Sequence, residues 1–126
     1  MKKVVFSCLL IAALYACGGG GSKDGKKSES STTDITKNPD YQKGLGLIAA
    51  NKCLTCHNVD EAVTGPPYRE VAKKYAGMPD SIITHLAKKI ITGGNGVWGE
   101  IFMTPHPGIS QADAEAMVKY ILLLKK

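Results

Sequence analysis

The fold class predicted is all-α, a single small domain of about four helices. Three observations predict it. Apolar residues in the C-terminal two-thirds of the chain recur at helical spacing, no stretch alternates for long enough to read as a strand, and Gly/Pro clusters separate the helical runs. With 126 residues there is room for one such domain.

The N-terminus stands apart from that domain. Lys2 and Lys3 precede an apolar run, Val4 to Ala16, which is too short to span a bilayer and matches the apolar core of a secretory signal. Leu14-Tyr15-Ala16-Cys17, followed by Gly18 to Gly21, resembles the lipobox of bacterial lipoproteins, where the cysteine becomes the lipidated first residue of the mature chain. Tyr15 departs from the small residue usual at its position, so ordinary signal cleavage and an uncleaved anchor stand as the other readings. Residues 1–16 are thus read as signal, 17–39 as lipidated Cys17 plus linker, and 40–126 as the folded domain. The linker is Gly, Ser, Thr, Lys and Asp with almost no apolar content, the composition of a flexible tether. About twenty such residues reach about 25 Å on average and about 70 Å at full stretch.

Within the domain, the first helix is predicted from about Asp40 to Lys52, with Leu45, Leu47 and Ile48 for packing. A short second one, about Tyr68 to Tyr75, offers Val71, Ala72 and Tyr75. The third starts after Asp80 or Ser81 as N-cap, places Ile82, Ile83, Leu86, Ala87 and Ile90 on one face, and stops at Gly93-Gly94. The last is the clearest. Ser110 and Asp113 form a capping box, and Ala114, Met117, Val118, Ile121 and Leu122 follow at i, i+3, i+4, i+7 and i+8. So small a chain has a thin core, and a large apolar cofactor would supply what the side chains lack.

Cys53-Leu54-Thr55-Cys56-His57 names that cofactor. Two thiols three positions apart lie on one face of a helical turn and can each add to a vinyl group on one porphyrin edge. The residue that follows projects its imidazole under the metal, so the pattern reads as covalent attachment of one haem c with His57 as proximal ligand. A dithiol oxidoreductase would place such a pair at the first helix of a βαβ unit, and no strand pattern precedes Cys53. A zinc site needs about four ligands, and no second Cys-x-x-Cys or His-x-x-x-His pair exists. The four cysteines then divide cleanly: Cys8 leaves with the signal, Cys17 carries lipid, and Cys53 and Cys56 hold haem. None is left for a disulfide.

The net charge of +5 overstates the domain, since Lys2 and Lys3 belong to the signal and the stretch from there up to Asp40 is balanced. From Tyr41 onward, ten Lys and Arg stand against seven Asp and Glu. This modest excess suits docking on an acidic redox partner, or is simply solvated surface lysine. It forms no phosphate-binding stripe, so no nucleic-acid partner is expected.

From about Tyr41 to the C-terminus the chain resembles a class I mono-haem c-type cytochrome of the short bacterial periplasmic kind. The matches are Cys53-Leu54-Thr55-Cys56-His57, Gly65-Pro66, Gly96-Val97-Trp98-Gly99 with Met103 following, and the closing amphipathic helix; signal and tether lie outside. The resemblance implies the small cytochrome c fold, about four helices around one covalent haem, with Met103 as distal ligand. It also places the Pro66 carbonyl to accept from His57 Nδ1–H, fixing the tautomer. Trp98 becomes a propionate donor or an ordinary packed indole, and Lys89 a propionate partner or an exposed helix lysine. His106 stands where similar cytochromes often carry an asparagine. It either orients or competes with Met103, or is a solvent-facing loop histidine between two prolines. His85 is read as exposed.

Two strong protein ligands leave no open iron position, which suits electron transfer rather than catalysis. The function expected is a membrane-tethered electron carrier cycling Fe(II)/Fe(III), exported and lipid-anchored to a bacterial membrane facing the periplasm or exterior. Its partners would be a quinol-oxidising complex and a terminal oxidase or reductase, met as a monomer in transient encounters. A haem-based gas sensor with a displaceable Met103 is the main alternative. A peroxidase-like enzyme would need an open site and a distal acid/base, for which only His106 is available.

Overall fold

The computed structural model describes residues 34–125. The signal, Cys17 and most of the linker lie outside them. In chain order the elements are α1 (Pro39–Ala50), a 3-10 turn (Cys53–Thr55), α2 (Tyr68–Lys74), α3 (Ser81–Thr92), β1 (Gly94–Gly96), β2 (Gly99–Met103) and α4 (Gln111–Leu123).

Each helix starts and stops for a local reason. The Asn38 side chain accepts from Asp40 N at 2.8 Å, and Pro39 takes the first helical position of α1, where its missing N–H is no loss. Ahead of it, Ile35–Lys37 make a 3-10 turn, with Thr36 N donating to the Asp34 side chain at 3.1 Å. Gln42 Nε2 of α1 also donates to Thr36 O at 2.6 Å. Residues 34–39, read from composition as tether, thus include a 3-10 turn bonded to α1. α3 begins at Ser81 with Asp80 in the cap position, but the Asp80 side chain makes no capping bond. The Pro79 and Asp80 carbonyls instead accept from Ile82 and Ile83 N. Gly93, at φ 67°, ends α3 as anticipated. The α4 capping box forms, Ser110 Oγ accepting from Asp113 N at 3.1 Å.

The core is built on α4, which packs on α1, α2 and α3. Ile48, Tyr68, Met117, Tyr120, Ile121 and Leu124 make one buried cluster, and Ala87, Ala114 and Val118 join α3 to α4 in a second. At the α1–α4 crossing a Cβ on buried Gly44 would strike Tyr120 Cβ and the Ala116 backbone. Only glycine lets the two helices approach so closely. Tyr41 and Tyr68 both meet Tyr120 edge-on, at centroid separations of 4.9 and 6.5 Å. Arg69 ties the end of α4 to the loop before α2, donating to Leu124 O at 2.8 Å and pairing with Asp60.

The β1–β2 hairpin lies where the sequence pattern predicts only a Gly-rich loop. Gly94 pairs with Met103 and Gly96 with Gly99, antiparallel, around Val97-Trp98. Its glycines Gly94, Gly96 and Gly99 have φ between 104° and 129°, conformations that other residues rarely adopt. Strands this short, three and five residues, carry no readable alternation.

Candidate functional site

The Cys-x-x-Cys-His segment is shaped by a sharp change of direction. Asn51 caps the end of α1, and Lys52 after it sits in the left-handed region at φ 55° and starts the 3-10 turn. Cys53 O then accepts from both Cys56 N and His57 N, at 3.2 and 3.1 Å. Residues three apart eclipse on a 3-10 turn, so both thiols share one side. Cys53 is half-buried and Cys56 exposed, and burial pushes the unmodified Cys53 thiol above its ordinary value.

His57 is held from three directions. Its Nδ1 lies 2.8 Å from Pro66 O. A carbonyl oxygen only accepts, so Nδ1 carries the proton and Nε2 keeps a free lone pair. Tyr68 stacks on the ring at 5.2 Å between centroids and 20° between planes. Gly65 presses on the third side: a Cβ there would lie 2.8 Å from Nδ1 and closer still to Cε1. The loop that brings Pro66 back is clamped by Cys56 O, which accepts from Thr64 N and Gly65 N, and by Asn58 O, which accepts from Tyr68 N.

A cavity of about 470 Å³ opens beside this histidine. Ile48, Val71, Leu86, Ile90, Met117 and Ile121 make much of its wall, drawn from all four helices. Cys53, Cys56, His57 and Pro66 line it, as do Trp98 and Met103 from the hairpin, so those sequence-predicted site residues come together. Lys89 is exposed at its rim beside Gly94, with Lys52 and exposed His85 also on the lining. No Asp or Glu lines it among the described residues. His106 is half-buried on the lining, its backbone N donating to Ile90 O and Ile91 O. The reading of a solvent-facing loop histidine does not fit that place. Cys17 lies outside the described residues.

Two contacts escaped sequence reasoning. The Tyr68–His57 stack joins residues eleven apart across a loop, and only an aromatic next to Pro66-Pro67 hinted at it. Lys74 Nζ stands 5.5 Å from the Trp98 ring centroid, linking α2 to the hairpin, and no local pattern announces such a pair.

The donor set fits a covalent haem: two thiols on one turn, an imidazole with Nε2 free, a thioether, and an apolar cavity edged by cations. Comparison with known proteins agrees, since residues 41–125 match the family model described as Cytochrome c. The chain belongs to the cytochrome c family. It is a class I mono-haem c-type cytochrome, and its cofactor is a single covalently attached haem c. It is 44% identical over 84 residues to cytochrome c-552 of Nitrosomonas europaea, which covers 67% of this chain and 81% of that one. Over 79 residues it is 42% identical to cytochrome c-552 of Hydrogenobacter thermophilus, covering 63% and 79%. The crystal structure of wild-type Nitrosomonas europaea cytochrome c552 superposes with a TM-score of 0.60 at 44% identity, over 64% of this chain and 99% of that one. A class 1 cytochrome from Sideroxydans lithotrophicus ES-1, 27% identical, gives 0.57 over 68% and 96%. Electron transfer is the common role of these relatives.

Proposed function

We propose that this cytochrome carries single electrons between membrane-bound respiratory partners, with Cys53 and Cys56 in thioether linkage to haem and His57 and Met103 as axial ligands. Haem, when bound, supplies the one-electron Fe(II)/Fe(III) couple. The observation that carries the proposal is the 2.8 Å contact between His57 Nδ1 and Pro66 O. It fixes the tautomer in which Nε2 is the free base and raises that nitrogen's basicity. Met103, half-buried on the same cavity, is a neutral, soft donor that favours ferrous iron and raises the reduction potential. With His57 and Met103 both holding the iron, no position would be left for a substrate. Trp98 and Lys89, both on the cavity lining, are the candidate propionate partners.

The proposal includes export and a lipid on Cys17, holding the chain to a bacterial membrane on its periplasmic or outer face. The lipobox-like Leu14 to Cys17 supports it. A quinol-oxidising complex is the proposed donor, and a terminal oxidase or reductase the acceptor, each met by a monomer. Exposed Lys52 and Lys89 at the cavity edge, with no Asp or Glu on the lining among the described residues, favour an acidic docking face and a brief encounter.

Intact mass and potentiometry test the electron-carrier reading. The mature wild-type chain should carry one haem through denaturation and titrate as a single reversible one-electron wave. The Cys53→Ser/Cys56→Ser chain should lose its haem on denaturation. A wild-type chain that releases its haem, or shows no reversible wave, contradicts the reading. For the anchor, the intact mass of the wild-type chain should correspond to a start at Cys17 with added acyl groups; a chain cleaved elsewhere, or starting at Cys17 without acyl mass, would rule out lipid at Cys17.

A further inference from the structure

Met103 reaches the cavity on a hairpin that no described helix covers broadly. Val97, Trp98, Ile101, Phe102 and Met103 all line the cavity, so the hairpin is one wall of the haem chamber. Gly93, Gly94, Gly96 and Gly99, in and beside the hairpin, all have positive φ, so its backbone is conformationally permissive. Its base is fixed. A Cβ at Gly93 would strike Met103 O and lie 2.9 Å from Pro105 N, so this strand end is pressed on the end of α3. Its tip is held differently. The Lys74 ammonium, from the last residue of α2, stands 5.5 Å from the Trp98 centroid. Val71 and Tyr75 beside it line the cavity, as Trp98 does, so the contact joins two walls of one chamber. A cation at that range is attracted by the negative face of the indole. Lys73, its exposed neighbour in the same last turn, makes no such contact among the described residues.

We infer that Lys74 is a positioning residue for the distal ligand: its ammonium on Trp98 holds the hairpin closed and so keeps Met103 on the iron. The inference rests on the Met103 ligation proposed above. If the hairpin must swing out before Met103 is displaced, removing the latch favours any small base that competes for the iron. A cation over a partly exposed ring is worth about two- to fivefold in such an equilibrium.

The experiment is an imidazole titration of the ferric, haem-loaded full chain, followed by loss of the far-red sulfur-to-iron charge-transfer band. Lys74→Met, which keeps the stem and removes the charge, should bind imidazole about two- to fivefold tighter than wild type. Lys74→Arg, which restores a cation over the ring, should match wild type. Lys73→Met, which removes a charge from the same helix end, should also match wild type. Unchanged imidazole affinity in Lys74→Met overturns the inference and leaves Met103 ligation standing. An equal gain in Lys73→Met overturns it too, because the effect would then belong to the charge of the helix end. A wild-type chain without the far-red band overturns the ligation and the inference together.

Discussion

Replacing Gly65 by alanine adds one methyl group, and the structure gives it nowhere to go. The added Cβ would lie 2.8 Å from His57 Nδ1 and closer to Cε1, so either the ring or the loop must move. Overpacking of this kind costs about 1–3 kcal/mol. Displacing the ring also weakens its bond to Pro66 O, with a net worth of about 0.5–1.5 kcal/mol. Alanine returns about 0.4–1 kcal/mol by stiffening the unfolded chain. The balance is a loss of about 2 kcal/mol. Urea unfolding of the haem-loaded protein measures it, and the reduction potential gives an independent reading. A looser Nδ1–H bond makes His57 a poorer donor to the iron, so the potential should rise. Gly46 supplies the contrast, since nothing lies within 4 Å of a Cβ placed there in α1. Gly46→Ala should stabilise by about 0.5–1 kcal/mol and leave the potential alone. If Gly65→Ala matches wild type in both stability and potential, the tight seat of the histidine is refuted.

Two further outcomes follow from the packing. Ile48 is 1% exposed at the centre of the α1–α4 cluster, so Ile48→Ala should lose about 2–5 kcal/mol in urea unfolding; a loss under about 1 kcal/mol would mean the site collapses around the gap. Burial, reinforced by Cys53 and Tyr120, holds the Tyr68 phenol above its ordinary value of 10.0. With Cys53 in the proposed thioether, burial and Tyr120 remain as causes. The folded state holds this proton more tightly than the unfolded one, so the associated stability is complete below pH 10 and lost as pH rises through the folded value. Tyr68→Phe should therefore show a shallower alkaline fall of the urea midpoint than wild type, and parallel falls would count against the buried phenol.

The parts of this fold that were legible in sequence are those written at short range. Ser110 and Asp113 announce α4, Gly93 stops α3, and Cys53 to His57 spell out the attachment turn. The site was legible as a set of residues because Pro66, Trp98 and Met103 stand in recognisable surroundings. What was missed depends on chain segments meeting. Gly44 reads as a poor helix residue until α4 lies across it, and Tyr68 reads as the start of a helix until His57 stacks on it. The hairpin escaped because its strands are short and glycine-rich, which in sequence is indistinguishable from a turn. His106 lies between two prolines, yet the backbone bonds to Ile90 and Ile91 bring it to the cavity lining.

The central claim is that His57 and Met103 together close the iron of a covalently held haem. Absorption spectra of the mature protein, oxidised, reduced, and reduced under CO, test it most directly. The account predicts a c-type reduced spectrum that CO leaves unchanged. A clear shift on adding CO would contradict it, showing an open distal position and favouring gas sensing over electron carriage.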